Sequence, residues 1–280
     1  MIPVAFDYER ASSVEDAIAK LAASGGKAIA GGHSLVPLMK LRLSEPGRLV
    51  DISKIPGLSG IKDAGGKIEV GATTTHAELA ASKLLRDKCP ILAEAAAAIG
   101  DVQVRNRGTI GGSIAHADPA SDLPAVAIAL DADILIKGKS GSRTVKAAAF
   151  FRGFYDVDLA AGELIVAVQF APVRSAAYAK LHQRASHYAI VGAAAALDVK
   201  GGVIQSARIG LTGATTHAVR LPGVEQALAG KKAADLAAAV AGAANEAGDL
   251  NGDLHASAEY RKAMIPVFVK RAVEMALARA

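Results

Sequence analysis

The segment from Thr109 to Asp122 is the strongest constraint in this chain, because it places paired glycines, hydroxyls and two carboxylates in one short stretch, TIGGSIAHADPASD. A second pair, Gly31-Gly32, is also followed closely by a hydroxyl residue, Ser34. Glycine lets backbone amides approach an anion without a Cβ in the way, and successive amides in such turns form anion-binding concavities. The two segments predict two loops that close on one extended, phosphate-bearing ligand. The alternative is a strand-to-helix turn with Ser34 as the N-cap, which needs no ligand.

Composition excludes several classes of protein. The 280 residues are 51% hydrophobic, which indicates a packed core, and the net charge of +5 includes no run of Lys or Arg that would predict nucleic-acid binding. The single cysteine, Cys89, rules out an internal disulfide and a Cys-rich zinc or iron–sulfur site in this chain, and we interpret it as a small buried hydrophobe. Residues 1–10 lack the apolar region of a signal peptide, and no long apolar run predicts a membrane span. We therefore expect a cytoplasmic protein.

Over residues 1–171, strand and helix patterns mix without a regular repeat. Ser12-x-x-Glu15 predicts the capping box of a first helix that ends at Gly25-Gly26. No Gly-x-Gly-x-x-Gly follows the first strand, which disfavours a Rossmann domain. We predict strands at 27–30, 49–52, 60–62, 67–70, 134–136 and 164–170, and helices that begin near residues 34, 75, 90 and 123.

The pattern changes after Ala171-Pro172. Three strands are predicted at 177–183, 190–199 and 203–212, with a hairpin turn at Lys200-Gly201-Gly202. Helices are predicted at 223–229, 233–247 and 257–278, and Pro266 should kink or break the last of them. Strands followed by helices indicate an α+β domain, so the fold class is α+β.

Four segments together resemble the FAD-binding medium subunits of molybdenum hydroxylases, a group that includes carbon monoxide dehydrogenase medium subunits and the flavin domain of xanthine dehydrogenase. They are AGGHSLVPLMKLR, RNRGTIGGSIAHADPASDLPA, AYAKLHQRASHYAIVGAA and HASAEYRKAM. The resemblance implies a two-subdomain FAD-binding fold of the vanillyl-alcohol oxidase type over residues 1–171, divided into about 1–55 and 56–171. It also implies a smaller α+β C-terminal domain over 172–280, with a three-stranded antiparallel sheet and helices.

The same resemblance implies which residues bind FAD. In the family, the position matching Asp122 contacts the adenosine end through a ribose hydroxyl, the lysine matching Lys180 approaches FAD, and an aromatic near Tyr188 covers one flavin face. Members often have Asn where this chain has Ser113. The implied cofactor-binding residues are Ala30, Gly31, Gly32, His33, Ser34, Leu35, Ile99, Thr109, Ile110, Gly111, Gly112, Ser113, His116, Asp118, Asp122, Ile165, Lys180 and Tyr188.

Some of these positions have a second interpretation. Asp122 could cap the helix that follows it, and Arg105 and Arg107 could either compensate diphosphate charge or lie on the solvated surface. His116, Asp118 and Asp122 are residue types that can bind a divalent cation, but the resemblance assigns them to the cofactor. We predict neither a metal site nor a catalytic residue in this chain.

The resemblance implies an electron-transfer subunit that binds FAD non-covalently. A molybdenum-cofactor large subunit would oxidise substrate, a small subunit with two [2Fe–2S] clusters would relay electrons, and this chain would pass them from FAD to an external acceptor. The assembly would be a dimer of heterotrimers. Two alternatives remain open: a stand-alone FAD oxidoreductase of the same fold, and a non-catalytic nucleotide-binding or scaffold subunit whose glycine loops serve structure only.

Overall fold

The computed structural model describes residues 2–280. Its first unit is a parallel sheet in which β3 lies between β1 and β2. The predicted cap of the first helix is wrong by one residue, because the hydroxyl that reaches the third amide of the helix belongs to Ser13 and accepts from Asp16. The predicted end is confirmed at Gly25, which has φ +59°. The elements are β1 (Asp7–Arg10), α1 (Val14–Ser24), β2 (Lys27–Ile29), α2 (Leu35–Lys40) and β3 (Arg48–Asp51).

The second unit is an antiparallel five-stranded sheet, ordered β4-β5-β10-β6-β7, with a helical segment inserted between β5 and β6. The strand β7 was not predicted because it is an edge strand that is mostly exposed, and it therefore lacks an apolar alternation. The elements are β4 (Ile61–Asp63), β5 (Ile68–Gly71), α3 (His76–Ala81), α4 (Lys83–Lys88), α5 (Pro90–Ala97), α6 (Val102–Arg105), α7 (Ile110–His116), α8 (Asp122–Ala129), β6 (Asp133–Gly138), β7 (Gly141–Lys146), α9 (Ala147–Phe150), β8 (Phe151–Gly153), β9 (Asp156–Val157) and β10 (Leu164–Phe170).

The third unit is an antiparallel sheet of four strands, one more than predicted, because the two-residue strand β14 is too short to leave a pattern. The predicted helix over 233–247 is wrong: a 3-10 turn and two short helices stand there, since few side chains in this alanine-rich stretch are large enough to anchor a long helix. The last helix runs unbroken through Pro266. The elements are β11 (Ala176–His182), β12 (Ala189–Lys200), β13 (Val203–Thr212), β14 (Val219–Arg220), α10 (Pro222–Leu228), α11 (Leu236–Ala239), α12 (Ala243–Glu246) and α13 (Ala258–Leu277).

The alanine-rich strand β12 joins two hydrophobic cores. Ala194 and Ala196 belong to the core built around α5, α8 and the five-stranded sheet, whereas Ala193 and Ala195 belong to the core beneath α13. A sheet covered on both faces needs apolar residues at every position of its central strand, and alanine lets both helix layers approach closely. At Gly210 of the neighbouring strand, a Cβ would overlap the backbone of α8. The C-terminal sheet is thus packed directly onto the second unit, which fixes the wall of the site described below.

None of the helices in the part of the chain that the structure describes combines the length and the apolar character needed to cross a lipid bilayer.

Candidate cofactor site

A cleft of about 900 Å³ lies between the small parallel sheet, the segment from α6 to α8 and the C-terminal loop before β12. This volume is in the range of sites that hold a large organic ligand. All the residues predicted from the sequence to bind FAD line the cleft, with the exceptions of Ile110 and Lys180. Sequence reasoning missed other lining residues, among them His76, 159–164 and 185–187.

The first glycine loop presents a row of free amides to the cleft. Within residues 2–280, the backbone N–H groups of Gly31, Gly32, His33 and Ser34 donate to no protein acceptor. Gly32 has φ +74°, a backbone conformation that favours glycine, and a Cβ on Gly31 would overlap the carbonyl of Arg107 just before the second loop. Ser34 is the N-cap residue of α2, as predicted, but its side chain makes no cap hydrogen bond. Consecutive free amides of this kind form a site for an anion.

The second glycine loop contributes shape instead of amides. The prediction that both loops donate their amides is wrong here, because four successive amides of this loop are already bonded within the protein and serve to start α7 and to join it to the end of β5. The bonds run from Ile110 N to Thr74 O at 3.0 Å, from Gly111 N to Ala72 O at 2.8 Å, from Gly112 N to Thr109 Oγ1 at 3.2 Å, and from Ser113 N to Thr109 O at 2.9 Å.

The two glycines of this loop are required for different reasons. A Cβ on Gly111 would stand 2.6–3.0 Å from three atoms of Ala72, so this glycine is needed for packing. A Cβ on Gly112 would meet only the Thr109 hydroxyl, at 2.9 Å, and would otherwise face the cleft. Neither glycine has a positive φ. The absent side chain at Gly112 therefore keeps space in the cleft open.

A buried polar network stands at one end of the cleft. The Tyr178 hydroxyl donates to Asp122 Oδ1 at 2.5 Å, and Lys180 Nζ donates to Asp122 Oδ2 at 3.0 Å, with both members of this ion pair almost fully buried. Burial raises the pKa of Asp122, while Lys180 and Tyr178 act in the opposite direction. Burial and the neighbouring carboxylate raise the pKa of Tyr178 well above its ordinary value, so it remains a hydroxyl donor. The capping interpretation of Asp122 is wrong, because the N-cap of α8 is Ser121.

Lys180 uses all three of its N–H groups on protein acceptors. Besides Asp122, Nζ donates to Ala98 O at 2.8 Å and to His187 O at 2.8 Å, and the side chain does not line the cleft. The ammonium therefore has no free donor for a cofactor.

This network also fixes the position of Asp122 along the cleft. Because Ala98 and His187 directly precede Ile99 and Tyr188, Asp122 lies at the same end as those two lining residues. The 159–165 stretch also lines the cleft, and Leu164 packs in one core with residues of the small sheet. Asp122 therefore lies near Ile99 and Tyr188, and its contact with the adenosine end of FAD stays a prediction.

His116 and Asp118, whose residue types can bind a divalent cation, contact other protein groups. Asp118 accepts from Ala120 N at 2.8 Å and from the Tyr155 hydroxyl at 3.1 Å, and the His116 ring lies 5.0 Å from the Tyr155 ring between centroids. Burial lowers the pKa of His116 despite the nearby Asp118. Among residues 2–280, no group of three or more His, Cys, Asp or Glu side chains is arranged to hold a metal ion. No pattern in the sequence pointed to Tyr155.

The structure also shows where two arginines and one histidine near the second loop lie. Arg105 donates to Ile99 O and Gly100 O, and neither Arg105 nor Arg107 lines the cleft. His76 does line the cleft, and burial, with a smaller contribution from His33, lowers its pKa to about 4. A neutral imidazole is therefore built into the wall at physiological pH.

Comparison with known proteins is consistent along the whole chain. Residues 4–172 match the family described as the FAD binding domain in molybdopterin dehydrogenase, and residues 176–276 match the CO dehydrogenase flavoprotein C-terminal domain. The carbon monoxide dehydrogenase medium chain of Hydrogenophaga pseudoflava is 42% identical, over 100% of this chain and 99% of the relative. The 6-hydroxypseudooxynicotine dehydrogenase complex subunit alpha of Paenarthrobacter nicotinovorans is also 42% identical, over 100% and 97% of the two chains.

Solved structures agree with these matches. A chain of carbon monoxide dehydrogenase from Hydrogenophaga pseudoflava superposes with a TM-score of 0.96 at 40% identity, covering 100% of both chains. A chain of quinoline 2-oxidoreductase from Pseudomonas putida 86 gives 0.92 at 33% identity, covering 99% of each. The resemblance inferred from the sequence, the fold class and FAD as the cofactor are confirmed. The chain belongs to the FAD-binding medium subunits of the molybdenum hydroxylases, which are components of oxidoreductase complexes.

Proposed function

We propose that this chain is the electron-transfer flavoprotein subunit of a molybdenum hydroxylase complex, taking electrons from [2Fe–2S] clusters on a partner subunit and passing them to an external acceptor. FAD, when bound, supplies this redox chemistry, and the protein supplies position and electrostatics. The observation that carries the proposal is the row of four free amides at 31–34, facing a cleft of about 900 Å³ in a chain of this family.

The residues of the cleft fit the three parts of FAD. We assign the diphosphate to the free amides of the first loop, with Gly112 leaving room on the opposite side. The isoalloxazine is assigned to the end that holds Ile99, Asp122 and Tyr188, and the adenosine to the part lined by 159–165. Tyr188 is about half exposed at this end, so its ring can cover one flavin face and restrict access by solvent and acceptor.

The partners proposed are a large subunit with the molybdenum cofactor and a small subunit with the iron–sulfur clusters, assembled as a dimer of heterotrimers in the cytoplasm. Support comes from the relatives, which are described as medium chains or as subunits of dehydrogenase complexes.

The test is to purify the chain with and without coexpressed large and small subunits, and to identify the flavin and the copurifying chains. Carbon monoxide, aldehydes and N-heterocycles are then offered as reductants. We expect intact FAD, flavin reduction by one of these substrates in the complex, and reduction of the lone FAD-loaded chain by artificial donors alone. Substrate-dependent reduction of the lone chain would instead favour a stand-alone oxidoreductase. A chain that takes up no FAD in either form would favour a non-catalytic subunit.

A further inference from the structure

The ammonium of Lys180 connects three separate segments at one end of the cleft. The Lys180 side chain is only 6% exposed. Its three N–H groups donate to Ala98 O, Asp122 Oδ2 and His187 O, so none is left for water. Ala98 and Asp122 belong to the FAD-binding unit, whereas His187 belongs to the C-terminal loop of residues 183–188, named here the Tyr188 loop. One buried side chain thus bridges the two domains directly behind two cleft-lining residues.

Residues 183–188 have few other attachments to the FAD-binding unit, and Ala189, the next residue, donates its amide to Ala120 O at 3.2 Å. The amides of Ala185 and Ser186 donate to the Gln183 side chain, so much of its hydrogen bonding is internal. His187 has φ +60°, and its Nδ1 lies 2.9 Å from Gly100 O, which provides a second and exposed link. The loop itself is largely exposed, whereas the Lys180 side chain that donates to His187 O is only 6% exposed, so water has little access to the donor.

We propose that Lys180 is a positioning residue that holds the Tyr188 loop against the FAD-binding unit and thereby sets the place of Tyr188 beside the flavin. The inference rests on the proposed function and deepens it, because it assigns Lys180 to the protein scaffold and not to direct FAD binding. The three acceptors match the three donors of an ammonium, so removing it leaves a carboxylate and two carbonyls short of a donor.

The first test needs no cofactor. Hydrogen–deuterium exchange is measured on the full chain for peptides that cover the Tyr188 loop and residues 96–100, in the unsubstituted protein and in Lys180→Met, which keeps the length but removes the donors. We expect exchange in both peptides to rise by at least about tenfold, while the amides of β13 stay protected. Lys83→Met is the matched control, because Lys83 forms an exposed ion pair with Asp87 and should leave both peptides unchanged.

A second variant separates loss of the bridge from the cost of an unpaired buried carboxylate. Lys180→Met/Asp122→Asn removes both charges and leaves an amide whose oxygen can still accept from Tyr178. If Lys180→Met folds poorly, exchange can therefore be measured on the double variant instead. The Tyr188 loop should still exchange fast in this double variant. Slow exchange in the double variant, or no change in Lys180→Met, would overturn the inference.

The flavin provides the third readout, measured on the complex isolated through a tag on this chain. We expect Lys180→Met to retain FAD and to alter the flavin reoxidation rate as Tyr188→Ala does, and Lys180→Met/Tyr188→Ala to change it no further than Tyr188→Ala alone. Independent, multiplying effects would overturn the inference, as would loss of FAD from a Lys180→Met chain whose loop stays protected. Absence of FAD from the unsubstituted complex would count against the proposed function instead, since the exchange experiment stands without it.

Discussion

Adjacent glycines in one helix offer a matched pair of substitutions that separates packing from ligand binding. Gly111 and Gly112 both lie in the first turn of α7, and Gly→Ala raises helix propensity by the same amount, about 1 kcal/mol, at either position. The two differ in what the new methyl group meets. At Gly111 it meets Ala72, whose carbonyl is fixed by a 2.8 Å hydrogen bond from Gly111 N, and at Gly112 it meets only the Thr109 hydroxyl.

The expected changes in the free energy of unfolding follow from these contacts. Overpacking against the fixed backbone of Ala72 costs about 1–3 kcal/mol, so Gly111→Ala should destabilise by up to about 2 kcal/mol after the gain in propensity. Gly112→Ala disturbs the Thr109 cap, which is worth about 1 kcal/mol, and the gain in propensity offsets this loss. Since 1 kcal/mol shifts Tm by about 2–4 °C in a domain of this size, the two variants should be distinguishable by calorimetry.

FAD binding should rank the two positions in the opposite order to stability, with the larger effect at Gly112. A larger side chain at Gly112 would enter the cleft, so Gly112→Val should weaken FAD binding by at least about a hundredfold, or about 2.7 kcal/mol, while circular dichroism stays close to that of the unsubstituted chain. Gly111→Ala should keep a full complement of FAD per folded chain. Both quantities are measured on the same preparations, by released FAD and by thermal unfolding.

Two outcomes would refute this reasoning. Full FAD occupancy with unchanged affinity in Gly112→Val would remove Gly112 from the cofactor site. A Gly111→Ala chain as stable as its parent would show that Ala72 can move aside, and the separation between a packing glycine and a ligand glycine would fail.

Three further predictions concern single side chains. The pKa of His76 is about 6.5 in the unfolded chain and about 4 in the folded chain, so the unfolded FAD-free chain binds more protons between these pH values. The free energy of unfolding should therefore drop by about 3 kcal/mol as pH falls from 6.5 to 4. In urea titrations, His76→Gln should lack this dependence on pH. Burial raises the pKa of Cys89 to about 12, so iodoacetamide at pH 8 should label it only in urea, and rapid native labelling would contradict its burial. Tyr188→Ala should retain FAD and speed its reoxidation by several acceptors; unchanged rates would make Tyr188 an ordinary surface residue.

Sequence patterns predicted those elements that bury an apolar face. The strands β10, β12 and β13 are predictable because their apolar residues are continuous or alternate, and β4 and β5 stand where strands at 60–62 and 67–70 are predicted. Edge strands escaped, since β7 exposes most of its side chains and β14 has two residues. The long helix predicted over 233–247 failed for the opposite reason, because high helix propensity without large apolar anchors does not fix a helix in tertiary structure.

The part of the site formed by the glycine loops could be predicted from the sequence. A glycine pair indicates that either a ligand or another chain segment approaches closely, but the sequence alone does not distinguish these two cases. The missing Cβ of Gly31 and of Gly111 lets Arg107 and Ala72 approach closely, even though the Gly31 amide faces the cleft, whereas the missing Cβ of Gly112 leaves space in the cleft. The distinction depends on the direction of one missing Cβ, which is set by tertiary contacts far apart in sequence.

The hydrogen bonds around Lys180 likewise depend on tertiary contacts that the sequence does not predict. Asp122 and Lys180 are 58 residues apart, and each has an apolar sequence neighbourhood that suggests only a buried strand or helix. Their pairing arises because the C-terminal sheet packs directly on α8, which brings the start of that helix against β11. A buried charge is tolerated only when its partners are in place, so docking of the two domains and formation of the flavin end of the cleft are expected to be one event. Substitutions that loosen this junction should therefore affect the Tyr188 loop before they affect the free amides of the first loop.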